Sequence, residues 1–202
     1  AENLLNDIGG LIFSITRDNS HIERMVNHDK AFPRISFDEA EKILKNLPKQ
    51  NLINAHPLGF RTLSSLGEKE LISLFNGFVW ITHFDILSVP FYQACDPTNK
   101  NKAVNADLLF GIGEVVGSGE RHLHDDNVYN ALQMHNVEKK PYEWYCKMRQ
   151  INPMKISGFG LGIERFILWL LNHDDIRDCQ LLPRLTGRLP AVLAILFLQG
   201  LK

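Results

Sequence analysis

Between Gly158 and Arg165 the sequence runs Gly-Phe-Gly-Leu-Gly-Ile-Glu-Arg and passes without a break into Phe166-Ile167-Leu168-Trp169-Leu170-Leu171. Glycine at every second position predicts a strand with one face stripped of side chains, against which a flat ring or another backbone can lie. The apolar run after it predicts a core helix. Strand glycines often serve packing alone, but packing does not explain the charged pair Glu164-Arg165 at a strand-to-helix junction. The pattern is not a dinucleotide fingerprint, because no βαβ unit with an acid on its second strand follows.

A second segment reads Asp107-Leu-Leu-Phe-Gly-Ile-Gly-Glu114-Val-Val-Gly117-Ser118-Gly119-Glu120-Arg121. Asp107 lies on one predicted strand and Glu114 starts the next, so a short turn can bring both carboxylates to one Mg²⁺. Strand alternation puts Asn105, Asp107 and Leu109 on one face. Arg121 follows a glycine-rich stretch, where its fork of donors can grip a carboxylate bidentately. Each acid taken alone reads as a solvated surface residue. Taken together, these are the residue types needed to activate a carboxylate with ATP: acids for a divalent metal, an arginine on the nucleotide, and close backbone approach.

The remaining chain predicts the scaffold. Leu4, Leu5, Ile8, Leu11, Ile12 and Ile15 recur at helical spacing over 1–16, with no cap ahead of them, which leads us to expect more chain upstream. Ser36-Phe37-Asp38-Glu39 is a capping box opening a second helix. Residues 50–62 read as a loop and 68–75 as a short helix. Strands are expected over 78–83, 89–93 and 104–110, and helices over 127–134 and 142–149. In His122-Leu-His124-Asp125-Asp126, a metal cluster is a weaker reading than Asp125 or Asp126 capping the next helix. Ser118 has no His-Asp pair at a spacing that suggests a nucleophile.

Composition excludes several classes. A net charge of -1 gives no overall positive field for nucleic acid, so any RNA contact would be local. Cys95, Cys146 and Cys179 form no CxxC pattern, which argues against a zinc site or disulfide framework and for a reducing cytoplasm. No basic-then-apolar leader opens the sequence, and the apolar run at 191–198 is too short to span a bilayer, so a soluble protein without membrane contact is expected.

Gly158-x-Gly160-x-Gly162-x-Glu164-Arg165 resembles motif 3 of class II aminoacyl-tRNA synthetases, and 107–121 looks like the segment of aspartyl- and asparaginyl-tRNA synthetases that ends in a glycine-rich turn and an arginine. Phe32-Pro33-Arg34-Ile35-Ser36, Pro90-Phe91-Tyr92, Tyr142-Glu143-Trp144-Tyr145, Asp175-Ile176-Arg177-Asp178 and Leu182-Pro183-Arg184 are similar to that branch as well. The resemblance implies an α+β fold, a mostly antiparallel sheet flanked by helices, with 1–202 forming the C-terminal portion of one class II synthetase-like catalytic domain. It implies ATP and Mg²⁺, with Asp107 and Glu114 on the metal, and Glu114, Gly160, Gly162 and Arg165 at the ATP. Arg121, Ser118 and Gly119 would meet an aspartate-like amino acid, Arg121 and Arg165 acting as the catalytic arginines.

The sequence departs from the family in lacking its motifs 1 and 2, which would lie upstream of Ala1. The expected reaction is formation of an acyl-adenylate, by a homodimer in the full-length protein. Gly117-Ser118-Gly119-Glu120-Arg121 resembles a free-standing, archaeal-type asparagine synthetase paralogue, which passes the acyl group to ammonia, more than the Gly-Gly-Ser form of asparaginyl-tRNA synthetases. We therefore lean to the paralogue. The alternatives are a tRNA ligase, with tRNA as acceptor, and a non-catalytic synthetase-like binding module.

Overall fold

The computed structural model describes residues 2–28 and 30–180. The apolar run at 191–198 and the Leu-Pro-Arg at 182–184 lie outside them. In chain order the elements are α1 (Glu2–Thr16), α2 (Ser20–Val26), β1 (Arg34–Ser36), α3 (Phe37–Lys45), β2 (Ile53–Ala55), β3 (Arg61–Leu63), α4 (Ser65–Leu74), β4 (Val79–Thr82), β5 (Asn105–Phe110), β6 (Gly113–Glu120), α5 (Asp125–Met134), α6 (Glu143–Ile151), β7 (Ser157–Leu161) and α7 (Ile163–Leu170). A five-stranded sheet runs β1-β4-β5-β6-β7, parallel only between β1 and β4, and β2-β3 is a separate hairpin. This is the expected mostly antiparallel sheet flanked by helices.

Side chains of the sheet alternate between two cores. Val79, Ile81 and Leu109 pack with Phe37, Ala40 and Leu44 of α3 and Leu71 of α4. Leu108, Phe110 and Val115 pack with Ile12 of α1, Ile22 of α2 and Trp169 and Leu170 of α7. Burial on both faces is what makes short strands stable here, since a strand side chain removed from water contributes about 1.5–3 kcal/mol. The turn between β5 and β6 passes through Gly111 at φ +62°, where a Cβ would lie 2.9 Å from Cβ of Trp169. A side chain there would be strained by its backbone and pressed into the α7 core.

Local signals fix where the helices begin. Ser36 Oγ accepts from the Glu39 amide at 3.3 Å, and Glu39 Oε2 accepts from the Ser36 amide at 2.7 Å, completing the capping box at α3. Ser64 caps α4 by accepting from the Gly67 amide at 3.0 Å. At α5 the expectation of an aspartate cap is corrected. His124 holds the cap position with no side-chain hydrogen bond, and Asp125 and Asp126 fall in the first turn, where their charge complements the helix dipole. His122 is buried, and its Nε2 lies 3.0 Å from the carbonyl of Phe91.

Two further expectations are corrected. Residues 50–62 hold the β2-β3 hairpin rather than a plain loop. Residues 89–93 are not a strand: they follow a 3-10 turn at Ile86–Ser88 and pair with the chain beyond β6 through an isolated bridge from Gln93 to Arg121. Pro90 cannot donate to a ladder, and the residues around it instead pack into separate clusters, Val89 on the α3-α4 core and Phe91 against Tyr142 at 4.7 Å between ring centroids.

The hairpin is tied to the sheet by an ion cluster. Asp85 Oδ1 accepts from Arg61 Nη2 at 2.6 Å and Lys102 Nζ at 2.9 Å, and Asp85 Oδ2 accepts from the Arg61 amide at 2.8 Å and Nε at 2.9 Å. Arg61 also reaches Asp38 and Glu41 on α3. Burial pushes the Asp85 carboxyl up, but the hydrogen bonds from Arg61 and Lys102 outweigh it and hold the group at about 2. Because the folded value lies below the unfolded one, this stabilisation is complete above the ordinary aspartate range and is lost as pH falls through it toward 2. Acid titration of urea unfolding should therefore show the wild type losing on the order of 1–2 kcal/mol from this group between about pH 4 and pH 2. The Asp85→Asn variant should be destabilised at neutral pH by its unpaired cations and should show a flatter acid limb.

Candidate active site

β6 carries Glu114 near its start and leads into Arg121 just past its end, and the sheet face between them is bare. Gly117 pairs with Gly160 and Gly119 with Gly158, so four glycines on two adjacent strands share one face. Above them lies a cavity of about 720 Å³, within the size range of small-ligand sites, lined among others by Asp107, Glu114, Arg121, Gly160, Gly162 and Arg165. A Cβ on Gly160 would meet nothing within 4 Å, so this part of the floor stands open.

The two acids converge on that floor. A Cβ on Gly117 would lie 2.6 Å from Glu114 Oε1 and 3.6 Å from Asp107 Oδ1, which places both carboxylates over the same glycine. Asn105 lines the cavity with Asp107, as strand alternation requires, while Leu109 of the same face is in the α3-α4 core. Burial, then the charges of Glu114 and Glu68, push the Asp107 carboxyl up to about 8. Glu68 reaches in from α4 and is itself raised by burial and by Glu114.

Asp107 and Glu68, both pushed up by burial and by the charge of Glu114, mark a place short of positive charge, and a divalent cation there would offset the crowding of carboxylates. Asp107 and Glu114 thus fit Mg²⁺. Among the described residues no group of three or more His, Cys, Asp or Glu is placed to hold a metal alone, so phosphate and water oxygens would complete its shell.

Each arginine is fixed by its surroundings. Arg165 leaves the first turn of α7, packs its Cδ 3.3 Å from the position a Cβ on Gly162 would take, and donates to the carbonyl of Glu114. Its Nη1 lies 3.5 Å from Glu114 Oε2, a solvent-exposed pair of little stabilising worth that leaves the guanidinium available at the cavity edge. Arg121 stacks over the ring of Tyr92 at 4.8 Å, and its amide donates to the carbonyl of Ile156 at 2.9 Å. Its Nη2 lies 3.2 Å from the position a Cβ on Gly158 would occupy, and its buried Nη1 has no hydrogen-bond partner among the described residues.

All of the expected site residues border this one cavity except Gly119, whose place beneath it is taken by a side chain from elsewhere. Ser118 borders it too, but its hydroxyl donates to the carbonyl of Ala106 at 2.7 Å. Sequence reasoning missed four residues: Tyr92, Gln93, Asn105 as a polar lining group, and Glu68. Tyr92 and Gln93 sit in the stretch read as a strand, and nothing in their own spacing announced a bridge to Arg121.

Comparison with known proteins places the chain in a family. A family model described as "tRNA synthetases class II (D, K and N)" matches residues 1–186. The chain is similar to the asparagine–tRNA ligase of Thermoplasma acidophilum, 28% identical over 189 residues, covering 88% of this chain and 42% of that protein. It is also similar to the asparagine–tRNA ligase of Pyrococcus horikoshii, 33% identical over 165 residues, covering 81% of this chain and 37% of that protein. The crystal structure of asparaginyl-tRNA synthetase from Pyrococcus horikoshii superposes with a TM-score of 0.79 at 30% identity, covering 92% of this chain and 43% of that one. That of the Entamoeba histolytica enzyme in complex with asparaginyl-adenylate gives 0.69 at 26% identity, covering 94% and 46%. The chain thus spans about two fifths of the length of these curated relatives.

The contact at Gly117 yields a test of the metal reading. Gly117→Ala places a methyl where the end of the Glu114 side chain lies, and that flexible end can move while the backbone stays. The variant should keep its circular dichroism spectrum and unfolding midpoint but bind Mn²⁺-ATP, followed by electron paramagnetic resonance, about ten-fold or more weakly than wild type.

Proposed function

Since this chain belongs to the class II tRNA synthetase family (D, K and N), we propose that it carries the metal and side-chain-reading parts of a site that activates aspartate or its amide, asparagine, with ATP. The observation that carries this reading is the single cavity in which the Asp107-Glu114 pair, Arg165 and Arg121 border a four-glycine floor. A carboxylate oxygen of the amino acid attacks the α-phosphorus of ATP. The bond to the bridging oxygen breaks, and pyrophosphate leaves with the electron pair. Asp107 and Glu114 would hold Mg²⁺, which when bound would offset the charge of the triphosphate.

The protein's own residues orient the partners. Arg165, leaning on Glu114, meets the nucleotide at one end of β6. The bare floor lets planar groups approach the backbone closely. Arg121, braced on Tyr92, meets the amino-acid side chain at the other end. A guanidinium offers hydrogen-bond donors and no acceptor, which suits both arginines to electrostatic stabilisation of negative charge.

The names of the relatives, asparagine–tRNA ligases, support tRNA as the acyl acceptor. A second reading, transfer to ammonia by a free-standing paralogue, is favoured by the order Gly117-Ser118-Gly119-Glu120-Arg121. The two part on one assay: transfer of labelled amino acid to tRNA against ammonia-dependent formation of asparagine from aspartate.

Activation itself is tested by amino-acid-dependent ATP–pyrophosphate exchange with the full-length protein. Exchange with aspartate or asparagine is expected; absence of both would contradict the reading. Loss of charged hydrogen bonds in Arg121→Ala should lower kcat/KM for the amino acid by between ~10-fold and ~100-fold with ATP binding spared. Arg165→Ala should weaken ATP and spare the choice of amino acid.

A further inference from the structure

Gln93 has no part in the reading above, yet it lines the same cavity as Arg121. It is 8% exposed, and its Oε1 has no hydrogen-bond partner among the described residues. The carboxamide lies over Gly119: a Cβ there would be 1.6 Å from Gln93 Oε1 and 2.6 Å from its Cδ. Gly119 is therefore bare because Gln93 fills the space its side chain would take.

The placement is rigid. Gln93 and Arg121 face each other in an isolated antiparallel bridge, and the Ala94 amide donates to the carbonyl of Glu120 at 2.8 Å. The Gln93 amide donates to the carbonyl of Pro90 at 3.0 Å, and the neighbouring Tyr92 ring carries the Arg121 guanidinium. Two buried groups of opposite hydrogen-bonding character, Arg121 Nη1 and Gln93 Oε1, thus sit unpaired on bridged residues that both line one cavity. Leaving such groups unpaired is costly, and a ligand that satisfies both gains twice.

We propose that Gln93 is the specificity-determining partner of Arg121, and that the pair selects a primary carboxamide, as in asparagine, over a carboxylate, as in aspartate. A carboxamide offers its oxygen to the guanidinium and its NH₂ to the Gln93 oxygen. A carboxylate offers acceptors only, so it leaves the Gln93 oxygen unpaired and sets oxygen against oxygen. Arg121 alone favours the carboxylate by its charge; Gln93 reverses the order. A site built to hydrogen-bond a polar group discriminates strongly against an analogue that cannot complete the bond.

This rests on Arg121 reading the substrate side chain, as proposed above. The test measures L-asparagine and L-aspartate binding by calorimetry to the full-length protein, alongside pyrophosphate exchange with each. Wild type should bind asparagine more tightly. Gln93→Met, similar in size but without the acceptor, should lower the asparagine-to-aspartate affinity ratio about ten-fold or more. Gly119→Ala, which evicts the carboxamide from the other side, should do the same in a variant with Gln93 intact. Gln93→Glu keeps an acceptor and cannot present a donor, and should preserve the asparagine preference.

An unchanged ratio in both Gln93→Met and Gly119→Ala, with each variant folded by circular dichroism, overturns the inference. So does a wild type that prefers aspartate, or that binds neither amino acid. An aspartate preference that Gln93→Glu reverses would show the carboxamide nitrogen facing the ligand. If binding behaves as expected but no exchange occurs, the activation reading fails and the role of Gln93 stands. If exchange occurs with an unchanged ratio, the reverse holds.

Discussion

The pairing of Gly117 with Gly160 and of Gly119 with Gly158 leaves four adjoining positions of the β6-β7 face without a Cβ, and the arrangement of the site follows from that bareness. Side chains on neighbouring elements move into or over the space: the Asp107 and Glu114 carboxylates at Gly117, Gln93 at Gly119, Arg121 at Gly158. A strand of glycines is costly, at roughly 0.5–1 kcal/mol per residue in chain entropy, and it buries nothing on that face. The sheet bears this because its other strands are packed from both sides, and because β7 leads directly into α7, whose Leu168, Trp169 and Leu170 are buried.

Two sets of unsatisfied groups lie at this floor. Asp107 is buried against Glu114 and Glu68, raised to about 8, where a cation would relieve it. Arg121 and Gln93 hold unpaired buried atoms, where a polar ligand would satisfy them. Contrast the Arg61-Asp85-Lys102 cluster, in which each Asp85 oxygen is saturated and the carboxyl is held low. The saturated cluster holds the hairpin in place, whereas the unpaired atoms of Arg121 and Gln93 sit on residues that line the cavity.

How much of this was legible in the sequence depended on how local the cause was. The glycine alternation, the capping box at Ser36 and the Asp107-Glu114 turn are settled by neighbours a few residues away, and each took its expected form. The strand expected over 89–93 failed because residue preference was read without Pro90, and the hairpin at 53–63 was missed because its three-residue strands are held by Arg61 reaching across to α3 and Asp85. The cap at α5 fell one residue early, on His124, because aspartates favour the first turn as well as the cap. Gln93 had no signal at all. Its meaning arises only when a bridge brings it beside Arg121 and a glycine makes room.

The account turns on one site in which a nucleotide and an amino acid lie end to end over the glycine floor. A crystal structure of the full-length protein with a non-hydrolysable sulfamoyl analogue of asparaginyl-adenylate tests this most directly. The account places the analogue's nucleoside end beside Arg165, its amino-acid side chain between Arg121 and Gln93, and the sulfamoyl link near the Asp107-Glu114 pair. An analogue bound away from the four glycines, or one whose amino-acid end makes no contact with Arg121, would contradict it.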